Sequence, residues 1–250
     1  MKKFLIPAIL CFAFLNLNAQ NCTRPFHIVI LGSSTAAGDG VTSLSKAWAY
    51  MYADSLKRID TGYVVDNLAV AGSTTYAMQG DGYVPPTNRP LPMIGHNITS
   101  AINLKADAII INFPTNDAAS NFSLIEQENN FMRVTNHAAK FHILVWVATT
   151  QPRDNFNTKQ VSKQRKLYDW IKSYYGSHTI DFQDGLATSA DSILNYYNSG
   201  DGVHLNNAAH QKLYNRVLKA DIPDTLCSQL APIAATLPKM KAIKTSAAAY

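Results

Sequence analysis

Along the chain, short runs of apolar residues alternate with longer stretches in which apolar residues recur every three or four positions. His27–Leu31 (HIVIL) reads as a buried strand. Val64–Val70, Asp107–Phe113 and Ile143–Thr149 read as three more, and His178–Phe182 as a shorter fifth. Helical spacing covers Leu44–Ile59, Ser123–Lys140, Thr158–Tyr175 and Asn206–Leu218. Strands that are apolar throughout and separated by helices predict a parallel sheet covered on both faces. Tyr76–Ile94 has no period and is rich in proline and glycine, which predicts a long loop near a functional site. Beyond Cys227 no periodic pattern continues, and 228–250 reads as a linker or frayed tail.

The N-terminus changes the compartment. Met1-Lys2-Lys3 is basic, Phe4–Leu17 is almost wholly apolar, and Asn18-Ala19 offers a small residue for cleavage. This is the pattern of a secretory signal peptide over residues 1–19; the apolar run is too short for a membrane span. Asn21 precedes Cys22 where lipoprotein processing needs a small residue, so a lipid anchor is not expected. The expectation is an exported protein, secreted or periplasmic, with one domain over 20–227. Loss of the leader takes Lys2 and Lys3 and no acid, so the formal charge falls from +5 to +3. That mild charge, with no basic run, gives no support to nucleic-acid binding. Cys11 leaves with the leader. Cys22 and Cys227, near the two ends of the mature chain, suggest one disulfide in an oxidising compartment.

In an open parallel sheet, chemistry collects just beyond the carboxyl ends of the strands. The segments there are Gly32-Ser33-Ser34, Asn67–Thr75 around Gly72, Pro114-Thr115-Asn116-Asp117 and Thr149–Arg153; Asp201–His204 precedes the last helix. Between them they hold hydroxyl nucleophiles, a histidine, a carboxylate and hydrogen-bond donors. The three-residue spacing of Asp201 and His204 lets a carboxylate fix the imidazole tautomer that a general base needs. Spacing alone does not choose between Ser33 and Ser34. His137, His142 and His210 lack ligand spacing and read as surface or packing residues, so neither a metal nor another cofactor is expected. Gly32, Gly38 and Gly40 lack phosphate-loop spacing and its lysine, which argues against nucleotide binding.

From about Phe26 to the helix after His204, these blocks resemble the SGNH (GDSL-type) hydrolases. The resemblance implies a flavodoxin-like three-layer α/β/α sandwich with a five-stranded parallel sheet. It implies Ser34 as nucleophile, with Ser33 standing where the family has Asp. Gly72 and Asn116 match the oxyanion donors, with the Ser34 backbone N–H as a third. Pro114 replaces the glycine of the family's G-x-N-D block and changes the backbone lead-in. Asp201 and His204 match D-x-x-H fully. The implied activity is a serine esterase. The polar loop with Tyr76, Tyr83, Asn88 and Arg89 suggests a short-acyl, carbohydrate-linked ester, an acylated glycan. The alternatives are a lipid-directed esterase or lysophospholipase, and a non-catalytic glycan-binding relative.

Overall fold

The structure, a computed structural model, describes residues 24–236. The leader and Cys22 lie outside the described residues. Five strands, β1 His27–Gly32, β2 Val64–Asn67, β3 Ala108–Asn112, β4 Leu144–Ala148 and β5 Thr179–Ile180, form one sheet in the order β2-β1-β3-β4-β5. All four pairings are parallel. The helices are α1 Ser34–Ala37, α2 Trp48–Ile59, α3 Ile98–Asn103, α4 Asn116–Ala119, α5 Leu124–Ala139, α6 Thr158–Tyr175, α7 Asn207–Lys219 and α8 Ile222–Thr236.

Alternate strand residues point to opposite faces, so a strand buried on both sides feeds two cores. Ile28 and Ile30 of β1, with Ile110 and Trp146, pack on Trp48, Tyr52 and Leu56 of α2 and on Leu213 and Val217 of α7. Val29 and Leu31, with Ile109, Ile111 and Val147, pack on Phe131 and Val134 of α5 and on Leu167 and Ile171 of α6. This is the three-layer sandwich.

Local chemistry sets the long helices. Ser123 and Glu126 form a capping box at the start of α5, and Asn157 and Gln160 form one at α6. Each pair satisfies end N–H groups that the helix itself leaves without acceptors.

One expectation needs correction. The chain does not fray at Cys227: α8 runs through it to Thr236, with Ile222, Leu226 and Cys227 in the core. Its apolar stripe was obscured by small residues and an internal proline. Tyr76–Ile94 holds no helix or strand; after it comes α3, which the apolar pattern did not mark, and whose N-cap Asn97 accepts the Ser100 N–H at 3.2 Å. Cys227 is disulfide-bonded. The other two cysteines of the chain, Cys11 and Cys22, lie outside the described residues.

Strand β1 is joined to β2 on one side and to β3 on the other. The chain reverses its winding there, which opens a crevice at the carboxyl ends of those two strands.

Candidate active site

Gly32 ends β1 beside Asn112 of β3, and the Ser33 N–H donates to the Asn112 carbonyl at 3.0 Å. The chain then turns at once into α1, whose first residue is Ser34. A Cβ on Gly32 would stand 2.6 Å from the Ala36 Cβ, so this strand-to-helix turn requires glycine. The two serines differ in setting. Ser33 is 1% exposed, and its hydroxyl is enclosed without a hydrogen-bond partner among the described residues. Ser34 keeps 8% exposure at the start of α1.

Asp201 and His204 lie in the turn that enters α7. Nδ1 of His204 is 2.6 Å from Asp201 Oδ2. Asp201 Oδ1 accepts the backbone N–H groups of Val203 and His204, both at 2.8 Å. Burial pushes the Asp201 carboxyl up, but those two N–H groups and the imidazole outweigh it and hold the group well below the usual carboxylate range. The carboxylate is not needed as a helix cap, because Asn206 caps α7 by accepting from Ala208 and Ala209.

Three contacts bring this turn to the turn that carries Ser34. Nε2 of His204 lies 3.8 Å from Asp39 Oδ2, and the Asp39 N–H donates to the Ser34 carbonyl at 2.9 Å. Gly40, at φ +93°, abuts Leu205 and His204 so closely that a Cβ there would meet the Leu205 carbonyl at 2.4 Å. The buried Gln151, after β4, accepts the Thr35 hydroxyl at 2.7 Å and donates to the Val203 carbonyl at 3.4 Å. Gln151 therefore braces the residue after Ser34 against the residue before His204. Gln151→Ala is expected to lower kcat by about ten- to a hundredfold with a smaller change in KM, because it loosens the alignment of Ser34 with His204. Steady-state kinetics test this; an unchanged kcat rejects the brace.

The amide donors are tied together. Asn116 begins α4 and donates one N–H to the Ser73 carbonyl at 2.9 Å, next to Gly72, leaving its second N–H available. The neighbouring Asp117 is fully enclosed and accepts the Thr75 N–H at 3.0 Å and the Thr75 hydroxyl at 2.5 Å. Burial pushes its carboxyl up to about 6 against those hydrogen bonds. Gly72 sits at φ +78° with open space where a side chain would stand. The Pro114 carbonyl accepts the Gln164 side-chain N–H at 2.8 Å, which ties the start of the Asn116 loop to α6.

The loop residues read as substrate-facing are partly spent on structure. Tyr76 is buried, and both its hydroxyl and Arg89 bond Glu126, at 2.9 and 2.5 Å. His210 is a packing residue, fully buried, whose Nδ1 accepts the Trp48 N–H at 3.2 Å. Burial pushes its imidazole down to about 4, which keeps it neutral. Asp39, Gln151 and the Thr75–Asp117 tie were not singled out in the sequence. Only Asp39, five residues after Ser34 in the same glycine-rich turn, carried a local signal. Among the described residues no group of three or more His, Cys, Asp or Glu is placed to hold a metal, and no helix is long and apolar enough to cross a membrane.

The GDSL-like lipase/acylhydrolase family model matches residues 30–212, and the chain belongs to that family, one of ester hydrolases. No curated protein matches the sequence. Solved structures share the fold. TesA is 16% identical, at a TM-score of 0.60 over 79% of this chain and 99% of its own. The psychrotrophic esterase EstA from Pseudoalteromonas sp., inhibited by monoethylphosphonate, is 15% identical at 0.56 over 79% and 97%. A two-domain esterase active on acetylated mannans is 14% identical at 0.53 over 91% of this chain and 53% of its own.

Proposed function

We propose that the protein is an exported serine esterase that hydrolyses short-acyl esters, acetyl esters of carbohydrate foremost, through Ser34, His204 and Asp201. The observation that carries the triad is the 2.6 Å His204–Asp201 contact, suspended against the nucleophile turn by Asp39, Gly40 and Gln151. Asp201 keeps the proton on Nδ1 and leaves Nε2 as the base. Ser34 Oγ attacks the ester carbonyl carbon as Nε2 takes its proton. The oxyanion is held by the N–H groups of Ser34 and Gly72 and by the free Asn116 N–H. The carbon–oxygen bond to the alcohol then breaks, and the imidazolium returns the proton to the leaving oxygen. Water attacks the acyl-enzyme by the same base and releases the acid. Asn116→Ala is expected to lower kcat by about 10²–10³-fold with a smaller change in KM; equal kcat values remove Asn116 from this role.

Export is supported by the leader-like residues 1–19 and by the disulfide at Cys227, a bond that persists in oxidising compartments. The acetyl-carbohydrate reading takes support from the acetylated-mannan esterase of the same fold. A lipid-directed esterase is the second reading, favoured by Val84, Leu91 and Ile94, which stand 84%, 73% and 78% exposed on the loop before α3. A p-nitrophenyl ester series from acetate to palmitate separates them. A maximum at acetate, with acetate release from an acetylated glycan, supports the first; a maximum at long chains supports the second. Glycan binding without turnover of any ester would make the protein a non-catalytic relative.

A further inference from the structure

Arg153 lies in the segment after β4, on the same sheet edge as the site. One guanidinium N–H reaches the hydroxyl of Thr115, the residue before Asn116, at a long 3.4 Å. Nε is buried with no hydrogen-bond partner, and the side chain stands over the Phe156 ring, 5.2 Å from its centroid. Among the described residues no carboxylate comes within ion-pair distance, while Arg24, Arg58, Arg89, Arg165 and Arg216 each have one; Arg133 also lacks one but donates to Gln79 and Asn130. Burial pushes its pKa down, with Asp201 acting in the opposite sense across the site. The adjacent acid does not satisfy it: Asp154 is spent on the Ile193 N–H and on Asn198, each at 2.8 Å.

A guanidinium offers five donors in a planar fork suited to an oxyanion. Leaving such a group partly desolvated and unpaired is costly, and an oxyanion ligand would offset that cost by charge-assisted, bidentate bonding. Resting on the esterase reading above, we propose that Arg153 is a specificity residue that binds an oxyanion carried by the alcohol portion of the substrate, so that the preferred ester is an acylated acidic sugar. Its hydrogen bond to Thr115, the residue before Asn116, sets the anionic group beside the loop that carries Asn116.

The test compares kcat/KM for acetylated methyl glucuronoside, acetylated methyl glucoside and acetylated glucose 6-phosphate, with p-nitrophenyl acetate as reference. The wild type is expected to favour the anionic acetates over the neutral glucoside by about tenfold or more, the scale of a hydrogen bond to a charged group. The larger of the two anionic preferences tells carboxylate from phosphate. In Arg153→Gln the anionic-to-neutral ratio should fall to about one, and Arg153→Lys should recover only part of it. Each ratio is taken within one preparation, so a loss of folded enzyme cancels. A wild type that turns over p-nitrophenyl acetate without an anionic preference overturns this proposal alone. So does an Arg153→Gln variant that loses neutral and anionic turnover equally. A wild type inert on every ester overturns the esterase reading on which it rests.

Discussion

Ser34→Ala is expected to lose ester hydrolysis by about 10⁴-fold or more in kcat, while Ser33→Ala keeps activity near that of the wild type. The contrast follows from the setting of two adjacent hydroxyls. Ser33 is sealed beside Asn112, and its hydroxyl has no partner among the described residues, so alanine there removes a buried polar group that makes no bond. Ser34 opens α1 at the sheet's switch point, one helical turn from Asp39, which faces Nε2 of His204. Kinetics on p-nitrophenyl acetate measure both. A residual rate in Ser34→Ala is expected from the oxyanion donors alone.

Asp201→Asn is expected to lower kcat by about 10³–10⁴-fold while leaving the fold intact. The amide oxygen still accepts the Val203 and His204 N–H groups that Asp201 Oδ1 accepts now, so the turn keeps its shape. The amide NH₂ then faces Nδ1, which must become the acceptor and send the ring proton to Nε2. The histidine is left in the tautomer that does not abstract the Ser34 proton. Circular dichroism and melting temperature should match the wild type while turnover collapses; near-native turnover would remove Asp201 from the triad.

Most of the frame was legible in the amino-acid pattern because strands buried on both faces read as continuous apolar runs. HIVIL and DAIIINF are such runs, and both are β-strands in the structure. The ends were not legible. The run Val64–Val70 stops as a strand at Asn67, and the fifth run contributes only Thr179–Ile180, because pairing with a neighbour and not apolarity sets where a ladder stops. Helix α3 was hidden by the prolines and glycine just before it, and α8 by the small residues around Pro232.

The candidate site was legible where it is local. Asp201 and His204 sit three residues apart, and Ser34 and Asn116 follow apolar runs directly. Gln151 carries no such sign. Its function as a brace depends on two partners 116 and 52 residues away in the chain, which only the packed sheet brings together. Asp117 is similar: the hydroxyl that its buried carboxylate accepts comes from Thr75, 42 residues distant. His210 lies at helical spacing from its neighbours and could have faced water, but the packing of α7 on α2 turns it inward onto the Trp48 N–H.

If Ser34 is the nucleophile, an activated phosphonate will trap it covalently. The wild type would be treated with a p-nitrophenyl alkylphosphonate, p-nitrophenolate release counted, and the labelled peptide sequenced by mass spectrometry. About one p-nitrophenolate per chain is expected, with the phosphonyl group on Ser34, full loss of esterase activity in the labelled protein, and no labelling of Ser34→Ala. A phosphonyl group on Ser33 or elsewhere, or ester hydrolysis near the wild-type rate in a fully phosphonylated or Ser34→Ala protein, would rule Ser34 out as the nucleophile.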